Sequence, residues 1–259
     1  MYADERRRHI ASLTAVEGRV NVTELAEKFD VTAETIRRDL AVLDDEGVVH
    51  RVHGGAVASQ GFQTTELTLD TRLRSATGAK HAIAQAALEL VPNSGSIFLD
   101  AGTTTHGVAE LIGMSPKARN LTMVTNSLPV ALSLSNSSLE VQLLGGSVRS
   151  ITQAVVGDTA LRTMALLRAD IAFIGTNALT MDHGLSTADA QEAAIKSAFV
   201  TNAHKVVVLC DSSKLGNDYL VSFASIQDID VIITDSEAPD TFVQSLRERE
   251  IDVIVAADG

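Results

Sequence analysis

The chain has 259 residues, 45% of them hydrophobic and 21% charged, with 21 Lys+Arg against 33 Asp+Glu and a formal net charge of −12. That apolar content packs one large or two smaller domains and excludes a disordered chain, while the acidity excludes a nucleic-acid binder that works by bulk charge. No apolar run approaches the ~20 residues that cross a bilayer, the opening "MYADERRRHIASL" carries no apolar signal stretch, and the single cysteine, Cys210, has no internal partner, so a reduced, cytoplasmic setting without membrane association is expected.

Dividing the chain does not produce a basic part. Residues 1–57 hold 8 Lys+Arg against 11 Asp+Glu, and residues 58–259 hold 13 against 22. Any DNA contact must come from where individual cations are placed. The stretch "ADERRRHIASLTAVEG" reads as a helix with Ile10, Leu13 and Thr14 on one side and Gly18 after its end. In "NVTELAEKF", Thr23 suits the N-cap, Glu24 the first turn, and Leu25, Ala26 and Phe29 form an apolar face. "DVT" interrupts, and Thr32 caps a third helix. At about 100° per residue, Ile36, Leu40 and Leu43 fall within about 60° of one another and must be buried. Glu34, Arg37, Arg38 and Ala41 fall opposite, on the solvent side.

Two short helices joined by about three residues, the second with arginines outward, form a helix-turn-helix pattern. Its second helix enters the major groove N-terminus first. Thr23, Thr32, Glu34, Thr35, Arg37 and Arg38 are therefore the expected DNA-facing residues. The i, i+4 spacing of Glu34 and Arg38 also suits a solvated surface pair worth a few tenths of a kcal/mol. "VVHRVHGGAV" then alternates and ends at Gly54-Gly55, as a hairpin does. This is a wing, with Arg51 and His53 expected beside the DNA backbone or minor groove. Residues 1–57 are expected to be a winged helix-turn-helix domain.

Residues 58–72 read as a linker, because "ASQGFQTTELTLD" has neither helical nor strand periodicity. A helix is expected from Arg72 through "RLRSATGAKHAIAQAALELV", stopped by Pro92. Short Val/Ile/Leu runs then alternate with helices to the end, which predicts, for residues 73–259, an α/β domain with a mainly parallel, doubly covered sheet. Ligands in such sheets bind at the carboxyl ends of strands. There the sequence places Asp100, Gly102, Thr103 and Thr104 ("FLDAGTTT"), Thr125 and Asn126 ("VTNS"), and Gly145 and Gly146 with Arg149 nearby ("LLGGSVR"). Gly175 and Asn177 ("FIGTNAL") and Asp211 and Lys214 ("LCDSSK") follow.

Gly-Thr-Thr at a helix start supplies N–H groups, hydroxyls and the positive dipole end, the parts that hold a phosphate. Asp189-x-x-Glu192 has the outline of a capping box, and Glu192 and Lys196 have the favourable i, i+4 order of a helix pair. The histidines have no metal-ligand spacing, and neither a dinucleotide fingerprint nor a P-loop occurs, so no metal, cofactor or catalytic residue is expected.

The run "VTELAEKFDVTAETIRRDLAVLDDEGVVHRVHGGA" resembles the N-terminal signature of the DeoR family of bacterial transcription regulators, which more often has Ser at the position of Thr32. "DAGTTT", "MVTNS", "LLGG", "AFIGTNAL", "HGLST", "EAAIK" and "DSSK" resemble, in order, that family's effector domain. The resemblance implies a winged helix on operator DNA and an effector domain similar to the ribose-5-phosphate isomerase fold that senses phosphorylated sugars. It implies a phosphate near Gly102–Thr104, Gly145–Gly146 and Lys214, with Asp100, Asn126, Glu192 and Lys196 as pocket residues. The function implied is a repressor of a sugar uptake or catabolism operon, acting as a homodimer or tetramer and released by its effector. "MYADERRR" and "FIGTNALTMDHGLSTADAQEAAIK" are similar to regulators of fructose or related hexose uptake, which makes fructose 1-phosphate the first effector to test. The alternative is a sugar-phosphate isomerase-like enzyme using Asp100, Asp211 or Glu192 as general base.

Overall fold

The computed structural model describes residues 3–17, 19–52, 54–58, 66–115 and 120–257. Gly18, His53 and residues 59–65, part of the stretch read as a linker, lie outside the described residues.

The N-terminal unit comprises α1 (Ala3–Glu17), β1 (Arg19–Asn21), α2 (Val22–Phe29), α3 (Ala33–Asp45), β2 (Val49–Val52) and β3 (Gly55–Ala58). Its core gathers Ile10 from α1, Leu25 from α2, and Ile36, Leu40 and Leu43 from α3 over Val20, Val49 and Ala56 of the strands. The apolar stripe of α3 is thus buried as its period requires. The wing has three strands, in the antiparallel order β1-β3-β2. Strand β1 uses Arg19–Asn21 and α2 follows it at once, so the helix starts at Val22, two residues earlier than a cap at Thr23 would give. Its N-cap is Asn21, whose Oδ1 accepts from the Thr23 amide at 2.8 Å, so Thr23 is a first-turn residue and not the cap. Asp30, at φ 51°, closes α2 with its N–H on the Ala26 and Glu27 carbonyls. Thr32 caps α3 as expected, accepting from the Thr35 amide at 3.2 Å. The Gly54-Gly55 pair has two separate reasons. Gly54 turns the hairpin at φ +82°, and a Cβ on Gly55 would sit 1.9 Å from the Val20 carbonyl oxygen.

In the larger unit, the helix expected from Arg72 onward is two helices, α4 (Leu69–Arg74) and α5 (Thr77–Leu88). Ala76 separates them in the left-handed region, φ 48°. Part of the segment read as linker is docked here: Thr68 caps α4, and the Leu69 amide donates to the Ile151 carbonyl at 2.9 Å. There follow β4 (Ser94–Leu99), α6 (Thr103–Met114), β5 (Asn120–Thr125), α7 (Leu128–Leu134), β6 (Glu140–Leu143), β7 (Ser147–Arg149), β8 (Ala154–Val156) and α8 (Asp158–Met164). The chain continues with β9 (Ile171–Gly175), β10 (Ala178–Thr180), β11 (Gly184–Thr187), α9 (Ala190–Asn202), β12 (Val206–Leu209), β13 (Val221–Ala224), β14 (Val231–Asp235), α10 (Asp240–Arg247) and β15 (Asp252–Ala256).

Seven strands form one parallel sheet in the order β15-β14-β12-β9-β4-β5-β6. Successive residues enter opposite cores. Phe98, Ala172, Ile174 and Val208 pack toward α8, α9 and α10 through Met164, Phe199 and Leu246. Ile97, Leu99, Phe173 and Val207 pack toward α5, α6 and α7 through Ile83, Ile112 and Leu134. Strands β9, β12 and β14 are buried along their whole length, as a sheet covered on both faces requires. The chain starts in the middle with β4, builds outward through β5 and β6, then returns to the other side at β9. The reversal between β4 and β9 makes their carboxyl ends a crevice. The small antiparallel pieces β7-β8 and β10-β11-β13 were not apparent from the sequence. Among the described residues no helix is long and apolar enough to cross a membrane.

Candidate functional sites: a nucleic-acid face and an anion cavity

A groove of about 400 Å³ runs between α3 and the wing, and its walls include Thr23, Arg37 and Arg51. The structure therefore brings together three of the expected DNA-facing residues from three elements. Arg37 and Arg38 are both exposed. Glu34 pairs with Arg37, one helical turn on, at 3.3 Å; the Glu34–Arg38 pair allowed by spacing is replaced by this one. Both partners are more than half exposed, so the contact is weak and gives way to phosphate without much loss. The hydroxyls of Thr32 and Thr35 lie 2.9 Å apart in the cap, at the helix end that would meet the groove. Arg51 is held by its backbone, the amide donating to Asp44 Oδ1 at 3.2 Å, and its side chain is exposed. His53 lies outside the described residues.

At the β4/β9 crevice a second, smaller cavity is walled by Gly102, Thr103, Thr104, Gly175 and Thr176, with Arg72, Lys80, Asp211 and Lys214 facing it. Gly102 is the N-cap of α6, in extended backbone and without a side chain to cap the helix. The first-turn amides of α6 consequently keep donor capacity for an outside acceptor. Thr105 fixes the turn, its hydroxyl donating to the Asp100 carbonyl at 2.7 Å or the Gly102 carbonyl at 2.9 Å. Asp211 accepts from the Ser213 amide at 3.2 Å and so caps the short 3-10 turn Ser212–Lys214, which places Lys214.

Three cations thus face one carboxylate. Lys80 donates to the Arg72 carbonyl and, at 2.7 Å, to the Ser75 carbonyl, at the C-terminal end of α4. Burial lowers its pKa from 10.5 to about 8; Asp211 opposes this, and Lys214 and Arg72 reinforce it. Sequence reasoning missed Arg72 and Lys80. Both reach the cavity because the chain breaks at Ala76, which no periodicity announces. Gly145, Gly146 and Asn177, expected in the pocket, are not in its walls. The glycine pair follows the edge strand β6, where a Cβ on Gly146 would meet the Val156 carbonyl oxygen at 2.6 Å.

Under the cavity lies a buried polar array. Lys196 of α9 pairs with Asp100 and donates to the Gly175 carbonyl at 2.8 Å, while the Gly175 amide donates to Asp100 Oδ2 at 3.2 Å. Burial raises the Asp100 pKa, against the pull of Lys196. Asp100 Oδ1 is buried without a partner among the described residues. One turn earlier on α9, Glu192 accepts from Thr152 and Arg149. Arg149 also meets Glu66 at 2.9 Å and Asp189 at 3.4 Å. Burial works against the Arg149 charge, but Glu66 and Glu192 outweigh it and raise the pKa.

Glu192 and Lys196 are therefore not a helix pair: each is drawn to partners distant in sequence. Asp189 does cap α9, accepting from the amides of Gln191 at 2.9 Å and Glu192 at 3.0 Å. Asn126 is a strand clamp, accepting from the Ala101 amide at 2.9 Å and donating to the Val155 carbonyl at 3.3 Å. Thr125 is fully buried and accepts from the Ser127 amide at 3.0 Å. Among the described residues no group of three or more His, Cys, Asp or Glu is placed to hold a metal ion. Cys210 is buried, which pushes its thiol pKa well up.

Comparison with known proteins adds to this geometry. A family model described as the DeoR C terminal sensor domain matches residues 75–236, and one described as the DeoR-like helix-turn-helix domain matches residues 6–61. The chain is 39% identical to the HTH-type transcriptional regulator GlpR of Haloferax volcanii, over 91% of each protein. It is 32% identical to the glycerol-3-phosphate regulon repressor of Escherichia coli K12, over 97% of this chain and 98% of that one. With the lactose phosphotransferase system repressor of Streptococcus mutans it shares 34% identity, over 97% and 99% respectively. Among solved structures, ribose 5-phosphate isomerase A of Methanocaldococcus jannaschii overlaps at TM-score 0.40 with 19% identity, over 52% of this chain and 53% of that one, and that overlap decides nothing about function. With both units matched and its relatives aligned almost end to end, the chain belongs to the DeoR family of helix-turn-helix transcriptional regulators.

Proposed function

We propose that the protein represses a sugar uptake or catabolism operon and that a phosphorylated sugar, bound in the cationic cavity, releases it from operator DNA. The observation that carries the effector class is the meeting of Arg72, Lys80 and Lys214 with the uncapped N-terminus of α6. A dianionic phosphate finds there both charge and backbone donors. Asp100 and Asp211, at the ends of β4 and β12, are set to accept sugar hydroxyls once the chain adjusts around the ligand. Arg72 lies on α4, the first helix after the segment that leads from the wing, so a ligand that draws on Arg72 also acts on that connection. DNA and effector then favour different arrangements, and each weakens the other's binding by the same factor. Operation as a homo-oligomer on two half-sites about one DNA turn apart fits this scheme.

The carboxylates that an isomerase would need are engaged: Asp100 with Lys196, Glu192 with Arg149 and Thr152, Asp211 with Ser213. This favours binding without turnover over catalysis. The test is a melting-curve screen of the full chain against pentose and hexose phosphates, fructose 1-phosphate first. It is followed by anisotropy titration on the DNA upstream of its own operon, with and without the best ligand. A raised melting temperature together with loss of DNA binding is the expected result. A screen in which millimolar sugar phosphates leave the melting curve in place removes the effector class. Interconversion of any of these sugars would restore the enzyme reading.

A further inference from the structure

Asp39 follows the arginine pair directly, yet it is turned the other way. It is 3% exposed, on the flank of the stripe formed by Ile36, Leu40 and Leu43. Arg6 of α1, itself 7% exposed, donates from Nε to Asp39 Oδ2 at 2.6 Å. The other carboxylate oxygen faces Arg7 Nη1 at 4.0 Å. This is the one buried ion pair among the described residues of the N-terminal unit, whose core is otherwise made of apolar side chains and the Thr14 hydroxyl, which is satisfied within its own helix.

An apolar stripe is non-directional, so it tolerates small rotations and slides of one helix over another. A buried ion pair contributes little net stability compared with apolar residues of the same shape. What it does supply is direction: the Nε–Oδ2 contact allows one rotation of α3 about its own axis against α1. The rotation matters because Arg37 and Arg38 project from the same turn as Asp39. Phosphate contacts tolerate a small misrotation, whereas hydrogen bonds to base edges do not. The pair also neutralises a carboxylate that, if turned outward, would stand beside the two arginines and repel phosphate.

We propose that Arg6 and Asp39 are positioning residues for operator reading: they set the rotation of α3 and so fix the sequence preference of the protein, while adding little to its overall affinity for DNA. Neither residue touches the duplex. The proposal is independent of the effector and holds whatever ligand the cavity takes.

The experiment uses the full chain and two duplexes, one selected by the wild-type protein from a randomised pool and one of the same composition with the sequence shuffled. Affinity for each is measured at several salt concentrations. Arg6→Met combined with Asp39→Leu is expected to fold, to bind the shuffled duplex with unchanged affinity and salt dependence, and to lose about tenfold or more of its preference for the selected one. Arg6→Lys keeps a cation against Asp39 without the Nε geometry. It reads the same ratio in a chain that retains its charge pair, and an intermediate preference is expected. Full preference in the double variant overturns the proposal. So does a parallel loss on both duplexes, which would mean the pair serves the fold alone. If the double variant does not fold, wild-type preference in Arg6→Lys overturns it on its own.

Discussion

Sugar-phosphate affinity should fall as the pH rises past the titration of Lys80. In the free protein its pKa is lowered from 10.5 to about 8, chiefly by burial. The ammonium is then about nine-tenths formed at about pH 7 and about one-tenth formed at about pH 9. A bound phosphate dianion favours the charged form, so the complex takes up a proton that the free protein has lost. Affinity therefore drops toward tenfold per pH unit above about 8, and the loss between about pH 7 and about pH 9 is about tenfold. The ligand does not contribute, since a phosphate monoester with a second pKa of about 6 is already dianionic over that range.

The stability of the free protein runs the opposite way. Lys80 has a lower pKa folded than unfolded, so the unfolded chain binds more protons between about pH 8 and about pH 10.5, and the contribution of this group to stability rises with pH there. The assay is calorimetric titration of the best sugar phosphate at about pH 7, 8 and 9, with wild type and Lys80→Arg. An arginine holds its charge, so the variant should show a nearly flat profile. A flat profile in the wild type, or an equally steep one in Lys80→Arg, refutes the assignment of this lysine to the anion.

Arg37→Ala with Arg38→Ala should make the plot of log affinity against log salt shallower by about 1.8, two phosphate contacts' worth; an unaltered slope would take both arginines off the backbone. Gly55→Ala puts a Cβ 1.9 Å from the Val20 carbonyl oxygen and should open the β1–β3 pairing. DNA binding by anisotropy should collapse while ligand binding to the cavity stays intact, and wild-type DNA affinity in this variant would contradict the strand contact. Arg149→Met leaves Glu66 and Glu192 without their cation, and both side chains are at most 5% exposed. The expected cost is about 3–5 kcal/mol, read as a lowered melting temperature and partly recovered by adding Glu192→Gln; a melting temperature within error of wild type would count against the array as drawn.

How much of this was legible depends on the range of the interaction. The helix-turn-helix came from local signals, and the burial of Ile36, Leu40 and Leu43 follows from their spacing alone. The interior strands β9, β12 and β14 were visible because burial on both faces makes them unbroken apolar runs. Strand β1 was not: three residues are too few to display a period, and its partner lies 34 to 38 positions away. The α4–α5 break rests on a single left-handed alanine, and the glycine nearby, Gly78, lies inside α5 and not at the break. Glu192 and Lys196 show the same limit in side chains. Their spacing points to each other, but Arg149, 43 positions away, and Asp100, 96 positions away, offer partners in a drier setting where charge pairs bind more strongly. Arg72 and Lys80 became site residues through that same kind of long-range arrangement.

The contact between Glu66 and Arg149 has a metrical consequence. From Ala58, the last residue of the wing, to Glu66 the backbone has only about eight Cα-to-Cα steps, a leash that extends at most about 29 Å when drawn straight. One turn of B-DNA spans about 34 Å. In an assembly of two copies, each wing can stray no farther than that leash from a mooring on its sensor domain, and the gap between the two moorings then becomes the ruler that decides which half-site separations can be spanned.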